Sequence, residues 1–191
     1  MSVTRDAMIP VEGVGANLHM TASRLLRTLT VEHRIMECVR PFDEVHRALI
    51  AAVPALKPEV SEILVRGDSE KIAVARRDWP KLWIFLMRNH GELTAADGQK
   101  SKAMQYEIGN PLTAERMTRH ALPAGLYAPL RVILYEDAAD RAVFEYDLPS
   151  SLFAQFGDER VAEVGRELDS ELEAVLEEAA GLRSESRSQA S

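Results

Sequence analysis

Tyr106, Asn110, His120, Tyr127 and Arg131 are the side chains of this sequence whose types and spacing could hold a small anion. A guanidinium such as that of Arg131 binds a carboxylate or phosphate through two parallel hydrogen bonds. Asn110-Pro111 reads as the start of a helix, with Asn as N-cap and Pro at the first helical position. The first N–H groups of such a helix lie at the positive end of its dipole and attract anions. Each residue also has a structural reading. Asn110 would then simply cap its helix, and Arg131 would snorkel past an aromatic ring or enter an ion pair. His120, in the last turn, would support the helix C-terminus as a cation.

Other chemistry leaves no pattern. The sequence contains no Cys-x-x-Cys, no His-Glu-x-x-His, no phosphate-binding Gly-Lys-Ser/Thr loop and no calcium loop. Its histidines, His19, His33, His46, His90 and His120, share no ligand spacing. Gly13-Val14-Gly15 lacks both a preceding strand and the third glycine of a dinucleotide loop, since Leu18 stands there. Cys38 is the single cysteine and sits in an apolar run, which reads as a small buried hydrophobe. No metal is expected and the cofactor is left unknown. A second function class remains open, a small-molecule enzyme or haem-binding protein using His90 or His120 as proton donor or axial ligand.

The elements that must position these residues follow from periodicity and punctuation. Residues 1–30, with Pro10, Gly13 and Gly15, read as a partly irregular arm, broken by a helical turn at Leu25, Leu26 and Leu29. Val31–Val39 reads as a strand. Phe42–Val53 has apolar residues at 3–4 spacing after Pro41 and predicts a helix. Residues 54–80 carry a short strand at Ile63–Val65, a Gly67-Asp68 turn and a short helix before Trp79. The continuous apolar run Leu82–Met87 predicts a central strand, and residues 89–102 a loop. Ala103–Ile108 alternates, with Met104, Tyr106 and Ile108 on one face. The Asn110 helix should reach about Ala121. Ala128–Glu136 and Arg141–Leu148 then predict a hairpin around Asp137–Asp140. That loop pairs Ile133 with Phe144 and Arg131 with Tyr146, and puts Arg131 at the end of the core face. Asp158–Ala180 carries the stripe Val161, Val164, Leu168, Leu172, Val175, Leu176 and Ala179, with Gly181 as its stop. The polar residues 182–191 read as a disordered tail.

Together these elements give an α+β fold, a small antiparallel or mixed sheet of four to five strands. Helices pack on one face, and the last is long and amphipathic. Residues 31–181 form a single domain in this reading. The chain of 191 residues is 46% hydrophobic and 28% charged, ordinary values for a soluble globular protein. No apolar run approaches the ~20 residues of a membrane span. The net charge is −7, and residues 158–180 hold nine acids against two arginines, so the acidity belongs to one element. A neutral body with one acidic helix has no footprint for nucleic acid. With no secretory leader and one cysteine, a cytoplasmic location is expected.

Three stretches resemble the family called domain of unknown function 302: Tyr106–Leu112 (YEIGNPL), Leu126–Glu136 (LYAPLRVILYE) and Phe144–Pro149 (FEYDLP), with the acidic helix after them. The likeness runs over roughly residues 31–180. It implies a small α+β domain, often homodimeric, with no established chemistry. The resemblance implies cysteines, in many members, at the positions where this chain has Gly109 and Leu130, which puts cysteine-based metal or redox chemistry in doubt for this chain. The combined expectation is a homodimeric domain that binds a small anionic ligand or a protein partner.

Overall fold

The computed structural model describes residues 24, 26–67, 69–75, 79–95 and 101–182. Five strands, β1 (His33–Glu37), β2 (Trp83–Asn89), β3 (Ala103–Gly109), β4 (Leu130–Glu136) and β5 (Ala142–Asp147), form one sheet in the order β1-β5-β4-β3-β2. Every strand pair is antiparallel. Seven helices accompany them: α1 (Phe42–Ala52), α2 (Pro58–Arg66), α3 (Ser69–Ala75), α4 (His90–Ala95), α5 (Pro111–Thr118), α6 (Pro149–Phe153) and α7 (Glu159–Ala180). Two short 3₁₀ segments, Leu122–Tyr127 and Ala154–Phe156, complete the described elements.

The core lies between one sheet face and the helices α1 and α7. Phe42, Val45, Leu49 and Val53 reach it from α1 and its end. Val161, Val164, Leu168, Leu172, Leu176 and Ala179 reach it from α7. The sheet answers with Tyr106, Ile108, Leu130, Val132, Leu134, Phe144 and Tyr146. Asp158 caps α7 through the N–H of Arg160, and Gly181 ends it at φ 87°, the left-handed region that favours glycine. The last carbonyls of α7 are not left to solvent. Ala180 accepts from the backbone N–H of Val39 and Arg40, and the Arg40 guanidinium donates to the Glu178 and Ala179 carbonyls. One arginine from the β1–α1 turn thus supplies the cation that the acidic end of α7 lacks.

Several expectations need correction. The hairpin register is one residue away from the one expected: Val132 pairs with Tyr146 and Leu134 with Phe144. Asp140 adopts φ 61° and adds a left-handed residue after the Asp137 turn, closed by Asp140 N–H to Asp137 O at 3.0 Å. A slip of one residue turns every side chain to the other face. Arg131, Ile133 and Tyr135 therefore point away from the helices, while Leu130, Val132 and Leu134 are buried. Ile63–Val65 belongs to α2 instead of a strand, because Pro58 starts that helix and Gly67, at φ 64°, stops it. The run Leu82–Met87 forms an edge strand, not a central one. Part of the stretch expected as a loop is α4, and the short α6 was not anticipated. The Asn110 helix stops at Thr118, before a 3₁₀ turn that absorbs Pro123. Residues 26–30 carry no regular structure, so they do not extend a helical turn. The rest of the arm (1–23 and 25) and residues 183–191 of the tail lie outside the described residues. Among the described residues no helix is long and apolar enough to cross a membrane.

Three substitutions on α7 test this packing. Leu172 is fully buried, so Leu172→Ala should cost about 2–5 kcal/mol, whereas Glu178→Gln, on the exposed side, should stay within about 0.5 kcal/mol. At Gly165 an added Cβ would meet Ser150 Cα at 2.9 Å and Phe153 Cβ at 3.3 Å. Gly165→Ala should therefore destabilise by about 1–3 kcal/mol through overpacking, despite the ~1 kcal/mol that alanine gains in helix propensity. Urea denaturation of the three variants reads both effects, and a stabilised Gly165→Ala would show that α6 does not pack tightly on α7.

Candidate functional site

The structure does not gather the five residues singled out from the sequence. Arg131 is exposed and stands opposite Glu107, whereas the neighbouring pair Tyr106–Val132 faces the core. Tyr106 and Arg131 therefore lie on opposite faces of the sheet. The Tyr106 hydroxyl shares a 2.7 Å hydrogen bond with Nδ1 of His46, which stacks on Phe42. Burial pushes the Tyr106 phenol well above its usual range, so it remains a neutral hydroxyl. The sequence places His46 one turn from Phe42 and from Leu49 on the same helix face, which marks it as core-facing but not as the partner of Tyr106. Tyr127 packs edge-on against Phe153 and Phe156. His120 is exposed beyond α5, within electrostatic reach of Asp158. His90 begins α4 and contacts Gln105 at 3.4 Å. Cys38 is half-buried, its thiol pushed up to about 11 by burial, as suits a structural cysteine.

Asn110 does cap α5. Its side-chain oxygen accepts from the Leu112 N–H at 2.9 Å, while its amide nitrogen donates to the carbonyls of Pro80 and Lys81. The residue thus ties the segment before β2 to the start of α5, and its polar atoms are already used.

Beside it the fold leaves an open, apolar cavity of about 90 Å³. Its deep wall is core: Met117, Leu130, Phe153 and Leu168, all buried. Phe85, Gly109, Pro111, Ala114, Ala128 and Pro129 complete the apolar lining, and Asn110 and Thr113 add its polar side-chain atoms. Asn110 and Thr113 also border a wider polar cleft of about 290 Å³, lined further by Trp79, Pro80, Lys81, Leu112, Arg116 and Glu171. The cations of that cleft are engaged. Arg116 makes two bonds to Glu167, at 2.6 and 2.9 Å, and Lys81 lies 3.4 Å from Glu171. Glu167 holds the Arg116 guanidinium charged, and Arg116 in turn keeps the Glu167 carboxyl below its usual range. Among the described residues no three His, Cys, Asp or Glu side chains gather as a metal site.

The family model for the domain of unknown function DUF302 matches residues 81–179, more than half of the chain and every wall of the cavity. The chain belongs to the DUF302 family. A crystal structure of an uncharacterized conserved DUF302 protein from Bacillus stearothermophilus superposes with a TM-score of 0.57 at 14% identity, covering 77% of this chain and 97% of that one. At that identity the likeness speaks for the fold. Comparison with curated proteins finds no match. The two positions at which the family resemblance places cysteines, Gly109 and Leu130, both line the cavity of this DUF302 chain.

On the open face of the DUF302 sheet the polar groups form their own networks. His33 of β1 reaches two carboxylates of β5, Asp147 at 2.8 Å and Glu145 at 3.2 Å, and the Tyr135 hydroxyl donates to Glu145. These hydrogen bonds, Asp147 first and Glu145 second, raise the His33 pKa above its ordinary 6.5. A histidine with a raised folded pKa adds stability fully below its unfolded value and loses it as pH rises through the folded pKa. Wild type should therefore exceed His33→Gln most at about pH 6, and the gap should close toward about pH 9. Thermal melts of the pair across that range measure it, and a gap that widens with pH would contradict the bridge.

Proposed function

We propose that this chain binds one small, mostly apolar molecule in the cavity between α5, β4 and the edge of β2, and does not turn it over. The observation that carries the reading is the wall itself: the apolar side chains of four buried core residues, with polar side chains contributed by Asn110 and Thr113. Apolar space of this kind holds water poorly and accepts hydrocarbon. A volume of about 90 Å³ suits a branched alkyl group or part of a small ring. The polar end of such a molecule would lie toward Trp79 and Leu112 in the adjoining cleft. An anion gains little there, because Lys81 and Arg116 already face Glu171 and Glu167 and the α5 cap is occupied by Asn110. The cavity lining includes no His, Cys, Asp, Glu, Lys or Arg, which supports binding over acid–base or nucleophilic work.

Toluene is a suitable probe. Titrated into the full chain, it should shift the methyl resonances of Met117, Leu130 and Leu168 in a saturable way. Ala114→Leu, which adds carbon to the lining, should weaken that binding by about tenfold or more, equivalent to about 1.4 kcal/mol. Shifts confined to other methyl groups, or equal affinity in the variant, would overturn the assignment. Native mass spectrometry of the freshly purified chain would show whether a molecule of this class travels with it.

A further inference from the structure

The polar cleft beside the cavity holds two ion pairs of unequal strength. Arg116 grips Glu167 with two hydrogen bonds, at 2.6 and 2.9 Å, in the planar fork that suits a carboxylate. Lys81 meets Glu171 through a single contact at 3.4 Å. The lysine side chain is 81% exposed, whereas that of Glu171 is only 25% exposed. Such a pair contributes little, because water competes for the ammonium and its long stem loses rotamer freedom. Glu171 is thus a half-buried carboxylate with an exchangeable cation. Two further features set the sign of what could replace that cation. Arg116 lies within electrostatic reach of Glu163 and Glu171 as well as its partner Glu167, so three carboxylates of α7 stand against Arg116 and Lys81. Trp79 also lines the cleft, edge-on to Trp83 with ring centroids 6.5 Å apart, and indole is the ring that attracts cations best.

We propose that the ligand of this site is a hydrophobic primary amine, with its hydrocarbon in the cavity and its ammonium in place of Lys81 at Glu171. The assignment rests on the reading of the cavity as a binding site and names the class of molecule that it takes. Asn110 and Thr113 line both spaces, so one molecule can occupy the two together. An alkylammonium is charged at neutral pH, as a lysine side chain is. Unlike Lys81, it is anchored by its hydrocarbon end. The exchange keeps Glu171 paired and returns an exposed lysine to water, so no half-buried charge is stranded. A neutral head leaves Glu171 with its loose partner, and a carboxylate head, the small anion expected from residue types, stands against it.

Three probes with one phenethyl tail separate the classes: phenethylamine, phenethyl alcohol and hydrocinnamate. Each is titrated into the full chain at neutral pH while the methyl resonances of Met117, Leu130 and Leu168 are followed. The amine should bind about tenfold or more tightly than the alcohol, and the carboxylate more weakly than either. Glu171→Gln should bring amine and alcohol to equal affinity, the alcohol reporting an intact cavity in the same variant. Lys81→Ala, which removes the competing cation, should strengthen amine binding. An alcohol that binds wild type as well as the amine does, or a preference that survives Glu171→Gln, would overturn the amine assignment while toluene still marks the cavity as a site. A weaker amine complex in Lys81→Ala would overturn the exchange. Failure of toluene to bind wild type would overturn the cavity reading, and the amine assignment with it.

Discussion

The burial of one apolar stripe of α7 against one face of the sheet is the contact on which the rest of the molecule depends. Val161, Val164, Leu168, Leu172 and Leu176 are all buried there, each worth roughly 1.5–3 kcal/mol. The exposed ion pairs of the same helix, such as Arg166 with Glu159, contribute about 0–1 kcal/mol each. Packing therefore decides where α7 lies, and its many acids occupy what is left over. Even the excess negative charge at its C-terminal end is met from outside, by Arg40 and the backbone of the β1–α1 turn.

Covering one face only imposes a second requirement. Alternate residues of every strand are turned outward, and they must remain compatible with water. Among the described residues the structure meets this with cross-strand networks, His33 with Asp147 and Glu145, Arg88 with Glu107 and Arg141 with Glu37. Arg131 and Glu107, directly opposed, belong to the same pattern. The apolar residues that break it are concentrated on β2, which is why that edge stands apart from the open face beside it.

The cavity arises where the helix layer is discontinuous. α5 and the following 3₁₀ turn connect β3 to β4, and Asn110 fastens the start of that connection to residues 80 and 81. Residues of β2, β3, β4, α5, α6 and α7 converge on the gap without filling it, β3 contributing only the backbone of Gly109. Asn110 and Thr113 line both this cavity and the polar cleft beside it, so an apolar interior adjoins a polar one. The charges of the cleft are paired with neighbours, and shape and apolar contact are what the cavity offers a ligand.

Much of this was legible in the residues alone. The stripe and Gly181 mark α7, Pro41 and the 3–4 spacing mark α1, and Asn110-Pro111 marks α5, because helix periodicity and capping are written within a few consecutive residues. The alternation of Met104, Tyr106 and Ile108 likewise names a strand and its buried face. What escaped the sequence are relations across the chain. One left-handed residue, Asp140, shifts the β4–β5 register and turns Arg131 out of the core, and local pattern cannot fix a register to better than one residue. The partner of Tyr106 is His46, 60 residues away, and the cavity joins Phe85 to Leu168. The sequence by itself determined which faces are apolar and where helices begin and end, since those are local free-energy preferences. Which residues share a wall was decided only when the chain closed on itself, since proximity between distant residues has no local signature.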